Sequence, residues 1–232
     1  MVASPTSDGP LLRVSVGGRW RDGSRDLRRR ILAEADEHEL TVLAAESLGY
    51  GPATALTAAP LVAGAELAGA EPDYALSLTV DRDVGSAAGV DEPVSPAVGV
   101  AWAVAEALGG EHPTAVEVEV TRALTGESVR RRLWSTGLWL SYVTGPLAAG
   151  IPVMVTLSSG SPIPEAAVDR LVRTVSQESA AFPLESLTVS DDRRRVELRL
   201  SLPVWDRQVS GYLAAQAVVA HDGPLTARVV RG

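Results

Sequence analysis

The chain has 232 residues and a net charge of −8, with 46% hydrophobic and 22% charged residues, which is the composition of an ordinary globular protein. The negative charge disfavours a nucleic-acid binder, because neutralising phosphates needs a basic surface. The absence of cysteine excludes thiol nucleophiles, thiolate metal sites and disulfides.

The first third of the chain predicts a leader followed by strands and helices. Residues 1–10 are rich in Ser, Pro, Asp and Gly and are expected to form a flexible leader. They show no secretory signal, so the expected location is the cytoplasm. Strands are expected at residues 11–16 and 40–45, with a half-exposed helix between them. Residues 53–68 are small and apolar, and Pro60 in their middle predicts a kinked or split helix.

Apolar and polar residues alternate in three later stretches, and this pattern predicts strands with one buried face. The three strands are expected at residues 74–81, 114–124 and 195–202. Helices are predicted at residues 97–108, 127–144 and 209–220 and after Pro164, with further strands at residues 153–157, 187–189 and 225–230.

The expected fold is α+β, with a mixed, mainly antiparallel sheet and helices packed on one face. The alternative is an α/β three-layer sandwich, which the alternation of strands with helices favours. We expect a single domain at residues 11–232. The order of strands and helices is similar on both sides of residue 112, which suggests two similar halves without a residue-level repeat.

Residues 133–164 carry no charged side chain and are predicted to form the centre of the fold. Gly145 and Pro146 are typical of a helix end, and Gly150 and Pro152 precede the strand at residues 153–157. A membrane span is the alternative, but the uncharged helical part has about 12 residues whereas a span needs roughly 20. The helix is also a candidate interface between copies of the chain, because it lacks a polar face.

The candidate for anion binding is the loop Ser158, Ser159, Gly160 and Ser161. Free backbone N–H groups at a helix start, together with hydroxyls, bind phosphate or carboxylate groups. The loop lacks the spacing of a nucleotide-binding motif, and Glu165 in the first helical turn would repel an anion. An ordinary strand-to-helix turn is therefore the favoured alternative.

Arginine clusters occur at residues 28–30, 130–132 and 193–195. Arg130 and Arg131 join the predicted anion site, because two clusters brought together would form a fork for phosphate or carboxylate groups. Acidic residues lie near every cluster, so solvated surfaces are the favoured alternative.

The candidates for acid–base chemistry are Glu117, Glu119 and His221. The two glutamates share one face of a predicted strand, where they could bind a cation or transfer protons, with Asp81 joining from a neighbouring strand. Ion pairing with Arg195 and Arg199 across an exposed sheet is the favoured alternative. The histidine lies at a helix end, where the helix dipole stabilises a cation, and no motif supports a Ser–His–Asp site.

No metal-ligand spacing appears, and the sequence leaves the identity of any cofactor unknown. The predicted function is a binding or assembly protein that forms homo-oligomers and takes a small anionic ligand, with neither nucleic acid nor a membrane as partner. The alternative is an enzyme acting on a small metabolite that bears phosphate or carboxylate, because many active sites leave no linear motif.

Overall fold

The computed structural model describes residues 11–21, 28, 30, 32, 62–69, 72–81, 92–121, 124, 126–144, 150–178 and 180–232. Its elements in chain order are β1 (Leu11–Arg19), β2 (Val62–Ala68), β3 (Asp73–Asp81), α1 (Val94–Ala107), β4 (Ala115–Val120), α2 (Glu127–Thr144), β5 (Ile151–Ser159), α3 (Glu165–Arg173), β6 (Leu184–Val189), β7 (Arg195–Leu202), α4 (Arg207–Val219) and β8 (Leu225–Arg231). A π-helical turn, Thr174–Glu178, extends α3. The predicted leader at residues 1–10 and the predicted strand at residues 40–45 lie outside the described residues.

The eight strands form one sheet in the order β2-β3-β1-β4-β8-β5-β7-β6. Every neighbouring pair is antiparallel. On β4, Val116, Val118 and Val120 are buried, whereas Glu117 and Glu119 between them are exposed. The sheet therefore has one apolar face, covered by helices, and one polar face. The predicted α+β fold with a mainly antiparallel sheet is confirmed.

The strands fall into two sets of four with the same arrangement. The second set, β5-α3-β6-β7-α4-β8, has the βαββαβ connectivity of a ferredoxin-like unit, with strand order β8-β5-β7-β6. The first set has the matching order β4-β1-β3-β2, and Arg28, Arg30 and Leu32 between β1 and β2 are helical. The sets meet where β4 pairs with β8, and α2, not residue 112, lies between them in the chain. The division into similar halves stays a prediction.

Helices α1 and α4 pack together against the sheet and are buried along most of their length. They approach closely at Gly211, where a Cβ atom would lie 3.2 Å from the Cα atom of Ser95. The buried residues of α2 that the structure describes are Val129, Leu133, Gly137 and Leu140. Their helical spacing places them on one face of α2, which packs against α4. Helix α2 is thus an outer layer over α4.

The uncharged stretch divides between core and surface. Strand β5 lies between β8 and β7, and its residues Val153, Val155 and Leu157 are at most 2% exposed. The predicted helix at residues 127–144 has the bounds of α2, but only one of its faces is buried. Within the residues that the structure describes, no helix is long and apolar enough to cross a membrane.

The structure corrects the prediction for residues 53–68. Residues 62–68 form strand β2 rather than the end of a kinked helix, and residues 53–61 lie outside the described part of the chain. Pairing with β3 decides the outcome, because it places Leu67 opposite the buried Leu76 and leaves Glu66 in solvent. A tertiary contact of this kind is invisible in an Ala- and Gly-rich sequence.

For Arg28 the structure also corrects the prediction that the arginine cluster at residues 28–30 is a solvated surface, whereas Arg30 is exposed as predicted. Arg28 is buried, and its guanidinium carbon lies 4.2 Å from the centroid of the Trp20 ring. Its Nε atom donates a 2.7 Å hydrogen bond to the carbonyl of Leu108, at the C-terminal end of α1. A cation is favourable there because of both the ring and the helix dipole.

Candidate functional site

The uncovered face of the sheet carries two rows of polar side chains that run across the strands. One row is Ser77, Ser15, Glu117, Arg228, Thr156 and Glu197. The next row is Thr79, Arg13, Glu119, Thr226, Ser158 and Arg195. These rows follow from the alternation of each strand, because every second side chain points away from the helices. We call this surface the open face.

The open face contains a hollow over β1. Gly17, Ala75 and Ala115 lie side by side on three neighbouring strands, and their small size leaves room for a hollow of about 340 Å³. The polar residues that line it are Arg13, Ser15, Ser77, Glu117, Glu119 and Arg228. The two serine hydroxyls lie 2.7 Å apart and hydrogen-bond to each other.

The charges around the open-face hollow are unequally paired. Arg13 donates a 2.9 Å hydrogen bond to Glu66 on β2, and the Nε atom of Arg228 lies 4.0 Å from a carboxylate oxygen of Glu117. Glu119 has no ion-pair partner among the described residues. Glu119 therefore has a carboxylate without a direct ion pair among the described residues, although Arg13 lies opposite it on β1, and this carboxylate attracts a positive group on a bound ligand.

A second pocket, of about 300 Å³, lies beside the hollow at the end of the central strands. Its polar lining comes from Glu119, Thr121, Ser158 and Thr226, together with the backbone at Gly160 and Pro224. Strands β4 and β5 both end here, and β8 begins between them. The Glu119 carboxylate therefore lines both this pocket and the adjoining hollow.

The structure brings Ser159, Ser161 and His221 together at the edge of this second pocket. The Oγ atoms of Ser159 and Ser161 lie 3.3 Å and 3.5 Å from Nε2 of the buried His221. The Ser159 hydroxyl also donates a 3.2 Å hydrogen bond to the carbonyl of Pro224. The path of helix α4 explains this contact. The helix ends at Val219, so that His221 lies beside the loop after β5.

The contact between serine and histidine is an incomplete triad. Among the described residues, no carboxylate hydrogen-bonds to the His221 ring. The Ser159 hydroxyl must also turn from Pro224 towards Nε2 before the ring can accept its proton. The arrangement supplies hydroxyl and imidazole groups for hydrogen bonding without a ready nucleophile.

The loop predicted to bind an anion is held by other contacts. The backbone N–H groups of Ser159 and Ile163 donate to the carbonyls of Arg194 and Arg193, and that of Ser161 donates to the Ser159 hydroxyl. The loop thus lies against the arginine cluster at residues 193–195, between β6 and β7. Anion binding by residues 158–161 stays a prediction.

The other predicted site residues are placed in different parts of the fold. Arg130 and Arg131 lie on α2 and are exposed. Asp81 lies on β3, which pairs with β1 and not with β4. Ion pairing across the open face does occur, but the partner nearest to Glu117 is Arg228, while Arg195 pairs with Glu197 on its own strand.

The sequence did not indicate Arg13, Ser15, Ser77 or Arg228 as site residues. Each belongs to a strand in which apolar and polar residues alternate, so the sequence predicts on which face of the sheet its side chain lies. Its neighbours on that face depend on the strand order. The pairing of β4 with both β1 and β8 is what places them around Glu117 and Glu119. Sequence alternation alone does not determine that order.

A third pocket, of about 360 Å³, lies at the start of α4 and is lined by Trp102, Glu106, His112, Trp205, Asp206, Arg207 and Gln208. Trp102 donates a 2.9 Å hydrogen bond from Nε1 to Glu106, and His112 contacts the same carboxylate oxygen. Trp205 donates from Nε1 to the carbonyl of Pro113 at 2.6 Å. These bonds satisfy the polar atoms of the two indole rings, and we interpret the pocket as a structural corner.

Glu92 is a buried acid outside the three pockets. It is 3% exposed and accepts hydrogen bonds from the backbone N–H groups of Val94 and Ser95 at 2.6 Å and 3.1 Å. Burial raises the pKa of its carboxyl, and the hydrogen bonds from Ser95 and Val94 and the charge of Arg132 oppose that shift. Its position before α1 indicates a role in starting that helix.

No group of three or more metal-ligand side chains occurs among the described residues.

No protein-family model matches the chain, and no curated protein matches it. Two solved structures of 3-hydroxy-3-methylglutaryl-coenzyme A reductase from Streptococcus pneumoniae, one of them bound to NADPH, are 10% identical to it, with TM-scores of 0.26 and 0.25. The alignments cover 91% of this chain and 64% and 61% of those chains. Likenesses of this size indicate neither a shared fold nor shared chemistry.

Proposed function

We propose that the chain is a binding protein whose open-face hollow takes a small polar ligand with a cationic group. The observation that carries the proposal is Glu119, a carboxylate that lines the 340 Å³ hollow and has no ion-pair partner among the described residues. Hydroxyls of Ser15 and Ser77 stand on the same surface and offer hydrogen bonds to a polar ligand.

The charge of Glu119 sets the kind of ligand and the size of its contribution to the affinity. An ammonium group 4 Å from a carboxylate gains about 1 kcal/mol in bulk water and about 4 kcal/mol at an effective dielectric constant of 20. The hollow is open to solvent, so the lower part of that range applies. Hydrogen bonds to the serine hydroxyls and contact with Ala75 and Ala115 must then supply the rest of the affinity.

A thermal-shift screen tests the proposal. The probes are small ammonium and guanidinium compounds, such as amino-acid amides, choline and polyamines, set against carboxylates and phosphates of equal size. A ligand at about 100 times its dissociation constant stabilises the fold by about 2.7 kcal/mol, which raises the Tm of a chain of this length by about 5–10 °C.

Three variants make the screen specific. Glu119→Gln removes the free carboxylate at nearly constant volume, and Ala115→Leu fills the hollow. Glu119→Gln is expected to reduce the shift and Ala115→Leu to abolish it, whereas Glu185→Gln, at an exposed position on β6, is the matched control and retains the full shift. No response to any cation, or a response that survives in Ala115→Leu, would contradict the proposal.

A second candidate function is an enzyme acting on a small anionic metabolite, and the contact between Ser159 and His221 is the observation that favours it. A serine-reactive fluorophosphonate would label Ser159 if the histidine activates it. The expected sign of this function is labelling that is lost in both Ser159→Ala and His221→Gln while the circular dichroism spectra stay unchanged. Labelling equal to that of the unfolded chain would eliminate it.

The proposal keeps the cytoplasmic location predicted from the sequence. Cell fractionation with cytoplasmic and membrane marker proteins tests it, and recovery of the protein in the membrane fraction after a high-salt wash would contradict it.

A further inference from the structure

The outer face of α2 exposes four large hydrophobic side chains. Trp134, Leu138 and Trp139 are 46%, 41% and 49% exposed, and Tyr142 is 88% exposed. In an α-helix these positions lie opposite the buried Leu133 and its neighbours, with Leu138 and Tyr142 along the middle and a tryptophan on each side. Clusters of exposed aromatic residues mark interaction surfaces. We call these four residues the α2 patch.

We propose that two copies of the chain associate through the α2 patch, with the two α2 helices antiparallel and Leu138 at the two-fold axis. This inference is independent of ligand binding in the open-face hollow, since α2 lies on the helix-covered side of the sheet. In this arrangement Leu138 packs against Leu138 of the second copy, and Trp134 packs beside its Tyr142, because positions 134 and 142 are equally far from 138. One face complements itself, as a two-fold interface requires.

The charges on α2 support the antiparallel direction. Arg130, Arg131 and Arg132 lie near the N-terminal end of α2, where the helix dipole is unfavourable for cations, and the last turn of α2 carries no basic residue. Antiparallel pairing puts these arginines beside the C-terminal turn of the second copy, where cations are favoured. Parallel pairing would place the two arginine clusters side by side, which is unfavourable.

The area of the α2 patch corresponds to a small interface. Aromatic side chains have about 150–250 Å² to bury, so the exposed fractions correspond to roughly 450 Å² in each copy. Two copies would bury about 900 Å² through these four residues alone. This is close to the lower bound of about 1,000 Å² for a biological interface, so the dimer is expected to be of modest stability.

A single introduced cysteine tests both the contact and its direction, because the chain has none of its own. Helix axes 8–10 Å apart, with Cα atoms about 2.3 Å from each axis, leave facing Cα atoms roughly 4–5 Å apart, near the range that a disulfide spans. Leu138→Cys is therefore expected to form a covalent dimer on mild oxidation. Trp134→Cys is expected to form none, since its two copies lie about 12 Å apart along the axis.

Leu187 on β6 provides the matched control. It is 42% exposed, against 41% for Leu138, and lies at the edge of the sheet. Leu187→Cys is expected to stay monomeric on a non-reducing gel. Covalent dimers from Leu187→Cys and not from Leu138→Cys would overturn the proposal and place the interface at the sheet edge. Dimers from Trp134→Cys would overturn the antiparallel direction.

The mass in solution gives the second measurement. Light scattering is expected to report twice the chain mass of 24.2 kDa for the wild type. Leu138→Glu is expected to raise the dissociation constant at least tenfold and to give the monomer mass, while Leu187→Glu leaves the dimer intact. Circular dichroism verifies that each variant is folded. A monomeric wild type at 100 µM, or a wild type that binds lipid vesicles through Leu138 as a monomer, would overturn the proposal.

Discussion

Replacing Asp206 with alanine tests how α4 is held in place, and α4 is the helix that positions His221. Asp206 is the N-cap residue of α4, and its carboxylate accepts hydrogen bonds from the backbone N–H groups of Gln208 at 2.9 Å and Val209 at 2.8 Å. Asp206→Ala leaves both donors without that acceptor.

The expected loss comes from two contributions. Loss of an N-cap side chain costs about 1 kcal/mol, and loss of a negative charge at a helix N-terminus costs about 0.3–1 kcal/mol. The total of about 1.5 kcal/mol corresponds to a fall in Tm of about 3–6 °C for a chain of this length. Asp206→Asn keeps an acceptor oxygen and loses only the charge, so its expected fall is about 1–2 °C.

Thermal unfolding followed by far-ultraviolet circular dichroism measures both variants under the same conditions. We expect the alanine variant to unfold at the lowest temperature, the asparagine variant at a higher one and the wild type at the highest. An alanine variant that unfolds at the wild-type temperature would refute a capping role for Asp206. An asparagine variant that falls as far as alanine would show that charge, and not cap geometry, carries the effect.

Two further predictions concern the buried acid and a close packing contact. Because burial raises the folded-state pKa of Glu92 above its usual 4.5, its contribution to stability is greatest below pH 4.5 and is lost as the pH rises through the folded-state pKa. The free energy of unfolding of Glu92→Gln, relative to that of the wild type, is thus expected to be higher at pH 7 than at pH 4. Urea unfolding measures this difference at both pH values, and an equal difference at the two would contradict the raised pKa. Gly110→Ala is expected to cost about 1–3 kcal/mol, because the new Cβ atom would lie 2.8 Å from the carbonyl oxygen of Ala105 and 2.9 Å from the Tyr74 ring. Chemical denaturation of that variant measures the loss, and a midpoint equal to wild type would show that the corner relaxes freely.

Residue patterns were sufficient to predict most elements of the second half of the chain. The sequence predicts helix α2 at residues 127–144, because Gly145 and Pro146 are typical of a helix end. The structure has the same bounds. Strand β7 was expected at residues 195–202 from its strict alternation, and the structure has the same bounds. These residue patterns lie within the element that they predict, and the tertiary contacts of the folded chain favour the same helix or strand.

Features that depend on contacts between distant residues could not be predicted. Strand β2 is one of them, because its Ala- and Gly-rich sequence has no strand-like alternation and only pairing with β3 makes it a strand. Arg28 was expected in solvent, yet Trp20 and the end of α1 enclose it. Its burial follows from contacts eight and eighty residues away.

In the candidate site, too, the sequence predicts the face on which a residue lies but not its neighbours from distant strands. Sequence alternation placed Glu117 and Glu119 on one exposed face, and the structure has them there. The neighbours that give the face its chemistry, Arg13 and Arg228, come from strands 104 and 111 residues away in the chain from Glu117, so no linear pattern connects them. The meeting of Ser159 with His221 likewise follows from the path of α4.

The most direct test of ligand binding on the open face is calorimetric titration of the strongest cationic compound from the screen into three proteins. We expect one site per chain in the wild type, about fivefold weaker binding in Glu119→Gln, which corresponds to the loss of about 1 kcal/mol, and no heat of binding in Ala115→Leu. Equal affinity in all three proteins would place the ligand elsewhere and contradict the account.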